Sequence, residues 1–105
     1  MGTSRRAEAL ALLGLARRAG AVVKGTDATR RSLRKGDVRL VISAEDGSET
    51  QLRKVLPLAK HQEVPVVRLG SRVELGAAVG SGPLTVVGIT RASFSKEFRA
   101  RLVQN

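Results

Sequence analysis

The sequence predicts an α/β layer fold, a small sheet with helices over both of its faces. Two observations carry this. Segments with helical spacing of apolar residues alternate with short, β-branched apolar runs, and those runs suit strands covered on both sides. No linker, repeat or low-complexity tract interrupts the alternation, so residues 1–105 read as a single domain. An apolar content of 42% is ordinary for a globular chain of a length that supports one core.

The first helix is expected over residues 4–19. Leu10, Leu13 and Ala16/Arg17 form one stripe, widened by Leu12 and Leu15, with Ser4 as N-cap and Gly20 as the stop. Ala21–Lys24 is a short extended piece. Gly25 or Thr26 caps a second helix that Gly36 ends. Val38–Ala44 is a strand. Ser48 and Gln51 form a capping box for a third helix, which Pro57 should kink by removing the bond to the Arg53 carbonyl. Val64–Leu69 is the next strand. Ser71–Val79 is a short helix holding Val73, Leu75 and Val79. Leu84–Thr90 is another strand of the buried type. A terminal helix, Ser93–Val103, places Phe94, Phe98 and Leu102 on one face.

Charge narrows the function. Lys and Arg number 19 against 9 Asp and Glu, a net +10, and arginine outnumbers lysine 14 to 5. The planar guanidinium fork binds phosphate and guanine edges bidentately. The excess is uneven: residues 1–40 hold 10 basic and 3 acidic side chains, net +7. This is the electrostatic footprint of a nucleic-acid binder. Two Phe, with no Tyr or Trp, argue against a base-stacking platform. The sharpest feature is Lys24–Gly36, K-G-T-D-A-T-R-R-S-L-R-K-G. Its helix carries Arg30, Arg31, Arg34 and Lys35 with one large apolar residue, Leu33. Its N-terminal amides around Gly25, Thr26 and Asp27 favour a phosphate. Asp27 and Arg31 stand at i, i+4, so an internal ion pair is the bland alternative.

Enzymatic chemistry finds no footing. Cysteine is absent, which excludes disulfides and thiolate metal sites. His61, the only histidine, falls near a helix end, where a cation complements the dipole. Glu45 and Asp46 follow a strand, but Asp46 and Ser48 precede a helix and read as capping groups. The glycine-rich Gly76–Gly82 lacks the Lys-Ser/Thr of a P-loop and reads as a loop with at most a nucleic-acid contact. No catalytic residue, metal or cofactor is expected. No run is apolar enough to span a membrane, and Met1–Arg6 is not a signal-peptide core, so a cytoplasmic protein is expected.

Five blocks then occur in order: Leu12–Gly20 (L-L-G-L-A-R-R-A-G), Lys24-Gly25-Thr26, Arg39–Asp46, Val64–Val67 and Leu75–Gly80. With this order the chain resembles the ribosomal protein superfamily of archaeal large-subunit protein seven-Ae and eukaryotic large-subunit protein thirty-e. The first block and the Gly88–Phe94 tail are most similar to its bacterial YlxQ-type branch. The resemblance implies a three-layer α/β/α sandwich around a mixed four-stranded sheet. It implies binding of structured RNA, ribosomal or kink-turn, and association with the ribosome. In kink-turn binders of this superfamily, an Asn-Glu pair and a Lys at the start of the second helix reach guanine edges. Those positions fall here on Asp27, Ala28 and Arg31. The loop that packs on extruded nucleotides falls on Gly80–Pro83, with Ser81 and Gly82 at its centre, and a basic residue opening the fourth helix matches Arg72. Asp27 accepts but cannot donate, and Ala28 offers no side-chain acceptor. The rival expectations are a protein–protein adaptor on the same fold and a detached recognition domain of an RNA ribose methyltransferase. A monomer is expected when the protein is free.

Overall fold

A computed structural model describes residues 2–102. The elements run α1 (Gly2–Arg18), β1 (Val22–Lys24), α2 (Thr26–Arg34), β2 (Leu40–Ser43), α3 (Glu49–His61), β3 (Val66–Arg68), α4 (Arg72–Ala78), β4 (Val86–Ile89) and α5 (Ala92–Leu102). The sheet order is β1-β4-β2-β3. β4 is antiparallel to both β1 and β2, whereas β2 and β3 are parallel, so the sheet is mixed.

Strand alternation sorts the core into two layers. Leu40, Ile42, Val67, Val87 and Ile89 face a cluster with Ala9, Leu13 and Ala16 of α1, Leu75 of α4 and Phe98 of α5. Val41 and Val86 face the opposite cluster, with Leu33 of α2 and Val55 and Ala59 of α3. Helices therefore cover both faces, giving the expected three-layer α/β/α sandwich. The strands are shorter than their apolar runs. Val38, Ala44 and Leu69 lie outside the ladders but are buried all the same.

Four helices end in one motif. After α1, the Gly20 amide donates to the Arg17 carbonyl and the Ala21 amide to Ala16. The same pair of bonds follows α2 at Gly36 and Asp37, α3 at Glu63 and Val64, and α4 at Gly80 and Ser81. This Schellman closure needs a left-handed residue, and Gly20, Gly36 and Gly80 supply it without a Cβ penalty. Glu63 adopts it at φ 58° with a full side chain.

Several local expectations are corrected. α1 begins at Gly2, two residues before Ser4, so Ser4 does not start it. The Ser48 hydroxyl accepts from the Gln51 amide, but the Gln51 side chain does not reach back. It accepts instead from the Thr26 hydroxyl at 2.9 Å. The complete capping box is Ser71–Glu74, at the start of α4. Asp46 caps that same helix, its carboxylate accepting from the Arg72 amide at 2.7 Å. Pro57 lies inside α3, which runs from Glu49 to His61, on the helix's exposed face. Val73 and Leu15 project outward, at 64% and 50% exposure.

Arg6 ties three segments together. Its guanidinium bonds Glu45 of the loop after β2 and Glu74 of α4. The bond from Arg6 and a second from the Ser71 amide hold the Glu74 carboxyl below the usual carboxylate range.

Candidate nucleic-acid interface

The interface begins at one residue. Gly25 sits at φ 90°, ψ 170°, a conformation that penalises any side chain. Its N–H donates to the Val86 carbonyl at 3.1 Å, and its carbonyl accepts from the Thr29 amide at 3.0 Å. Gly25 thus ends the β1–β4 pairing and opens α2 within one residue. Its own amide is consumed by the sheet, contrary to its expected place in an anion site. No side chain caps α2, so the amides after it, from Thr26 and Asp27, carry the helix's unmatched positive end.

The opposing wall comes from α3. The Ser48 amide donates to the Thr85 hydroxyl at 3.1 Å, which docks the start of α3 beside the segment entering β4. From there Gln51 and Lys54 follow at helical i, i+3 spacing. The third wall is the loop between α4 and β4. A Cβ on Gly76 would lie 2.0 Å from the Gly82 carbonyl oxygen and 2.9 Å from that of Ser81. Only glycine lets the loop fold down onto α4. The Leu84 amide then donates to the Arg72 carbonyl at 3.1 Å, which fixes the loop's far end.

These walls enclose a cleft of about 340 Å³. α2 contributes Gly25, Thr26 and Asp27, α4 contributes Arg72, and the loop contributes Pro83. Those five residues are among the site expected from sequence. Ser48, Gln51 and Lys54 from α3, with Leu84 and Thr85, complete the lining and were not expected. The other expected residues surround the cleft without lining it. Lys24 is exposed at the end of β1, Gly82 is exposed on the loop, and Ser81 is half-buried. Arg30, Arg31 and Arg34 share a helix face with Asp27, at i+3, i+4 and i+7. Arg31 and Arg34 are exposed. Arg30 is half-buried, and its Nε–H is covered without a hydrogen-bond partner.

The ion pairs lie elsewhere. Among the described residues, acids pair with Arg6, Arg72 and Arg101, and none pairs with Lys24, Arg30, Arg31, Arg34, Lys35 or Lys54. The Asp27–Arg31 ion pair of the bland alternative does not form among the described residues. A stripe of uncompensated cations therefore runs from the cleft along α2. Arg72 is held over the cleft by Asp46, with 3.7 Å between Nε and the carboxylate. Among the described residues, no group of three or more His, Asp or Glu is placed to hold a metal ion. No helix among them is long and apolar enough to cross a membrane.

Known proteins share this architecture. The family model described as Ribosomal protein L7Ae/L30e/S12e/Gadd45 family matches residues 7–99. The chain is 35% identical over 86 residues to the RNA-binding protein YlxQ of Bacillus subtilis, across 82% of this chain and 86% of that one. It is 34% identical over 97 residues to the RNA-binding protein YlxQ of Enterococcus faecium, across 92% and 93% of the two chains. A solved protein of unknown function from Bacillus halodurans is similar at a TM-score of 0.85 and 32% identity, across 91% of this chain and 97% of that one. The Giardia lamblia 15.5kD RNA binding protein is similar at a TM-score of 0.74 and 26% identity, across 94% and 91%. With the family match running from α1 into α5 and relatives 34–35% identical over most of both chains, this chain belongs to the Ribosomal protein L7Ae/L30e/S12e/Gadd45 family.

Proposed function

We propose that this protein is a non-catalytic RNA-binding protein that holds structured RNA, ribosomal RNA among its targets, across the cleft of α2, α3 and the 80–83 loop. One observation carries the reading: the cleft opens at the uncapped start of α2, and the unpaired arginines of that helix lead away from it on one face. Its relatives named as RNA-binding proteins support it. The α2 amides and Lys54 meet backbone phosphate. Arg31 forks onto a guanine edge. Pro83 and Leu84 offer apolar surface to an extruded nucleotide. The protein acts in the cytoplasm, as a monomer when free.

Kink-turn RNA is bound less selectively than by a protein with Asn and Glu at the positions of Asp27 and Ala28. Asp27 brings a negative charge toward phosphate and cannot donate. The test is filter binding of wild type and Arg31→Ala to a kink-turn RNA and to a plain duplex. Arg31→Ala should lose roughly 1–3 kcal/mol on the kink-turn RNA. Equal, weak binding of both proteins to both RNAs would overturn the assignment.

A further inference from the structure

The α1 side of the 80–83 loop, on the sheet face opposite α2 and α3, carries features that the cleft does not use. Arg17, in the last turn of α1, lays its guanidinium against Gly80. A Cβ on Gly80 would stand 2.9 Å from Nη2 and 3.0 Å from Cζ of Arg17. The Arg17 side chain is nonetheless exposed, and among the described residues it makes no hydrogen bond or ion pair. It sits at the carbonyl end of α4 without bonding those carbonyls, so all five of its donors are open.

The loop backbone also offers an open donor. The Gly80 amide is bonded to Ala77, Ser81 to Gly76 and Leu84 to Arg72, and Pro83 has no N–H. Gly82 therefore carries the one amide of this stretch with no backbone partner. The Ser81 carbonyl lies against Gly76. In a planar trans peptide the N–H points opposite to its carbonyl, so the Gly82 N–H faces away from α4.

We infer that Arg17 is a second phosphodiester contact, on the α1 side of the loop, for an RNA strand that crosses from the cleft over residues 80–83. The inference rests on the RNA-binding reading above. It places Arg17 at the Gly80 end and Arg72 at the Leu84 end of one loop, with the strand passing between the two guanidinium groups. The loop is held by Gly76, which locks it to α4, and by the packing of α1 on α4, where Gly14 faces the Ala78 carbonyl.

The experiment compares Arg17→Gln with Arg91→Gln, measuring affinity for a kink-turn RNA between 50 and 200 mM salt. Both variants remove one charge. Arg91 lies beyond the other end of β4, remote from the loop, and thermal melting checks that each variant is folded. Arg17→Gln should bind about five- to tenfold more weakly and lower the log–log salt slope by about 0.7–0.9. Arg91→Gln should leave the slope unchanged. Equal effects of the two substitutions overturn the Arg17 contact while leaving the cleft reading intact. A wild-type protein that binds no RNA overturns both.

Discussion

The proposed function turns on Arg31 and its neighbours at the start of α2. By the family resemblance Asp27 and Ala28 stand where kink-turn binders carry Asn and Glu, and Asp27 lines the cleft. The double variant Asp27→Asn, Ala28→Glu should therefore gain kink-turn selectivity over plain duplex by about tenfold or more, the worth of one good base contact. Competition binding with the two RNAs measures it, and an unchanged ratio would mean that these positions do not face the RNA. Gly76 is the structural counterpart. Gly76→Ala drives a methyl into the Gly82 and Ser81 carbonyls and should destabilise the fold by about 1–3 kcal/mol, read from a denaturant midpoint. By contrast Gly82, where an added Cβ meets nothing within 4 Å, should accept Ala with little change.

Elements separate what was legible in the sequence from what was not. The helix stops at Gly20 and Gly36 could be read because glycine announces a left-handed closure. Glu63 closes α3 in the same way but carries no such signal. Glu63→Gly should stabilise the protein by about 0.5 kcal/mol, the relief of αL strain less the entropy cost of glycine, and a rise in melting temperature would register it. The basic second helix was legible from its charge, Asp27 from its place at that helix's start, and Arg72 only through the family resemblance. Gln51 and Lys54 were not, because their approach to α2 depends on how α3 sits across the sheet. The hydrogen bond from Thr26 to Gln51 joins segments 25 residues apart, and no local pattern encodes it. Ser71 and Glu74 do form a readable S-x-x-E signature. Asp46, expected to cap the helix that follows it in sequence, caps α4 instead, a contact 26 residues away that no local pattern encodes.

On the scale of the whole molecule, net charge sets conditions for both binding and stability. With four phosphate contacts, RNA affinity should fall about a hundredfold between 50 and 200 mM salt. A flat salt dependence would be inconsistent with the arginine stripe as the binding surface. Acid acts on the other face, through the Arg6–Glu45–Glu74 cluster. The Glu74 carboxyl is held below its usual range in the folded state, chiefly by Arg6. Its contribution is therefore present above the unfolded carboxylate pKa and is lost as pH falls through the folded value. Urea midpoints taken from pH 7 down to pH 3 should decline less steeply for Glu74→Gln than for wild type. This effect is modest, because both side chains of the pair are about two-fifths exposed.

The central claim is that RNA lies across the cleft and along α2. Ultraviolet crosslinking of the protein to a bound structured RNA, followed by mass-spectrometric mapping of the crosslinked residues, tests it most directly. Crosslinks should concentrate in residues 24–35, 48–54 and 80–85. Crosslinks concentrated on α5 or β3, with those three segments empty, would contradict it.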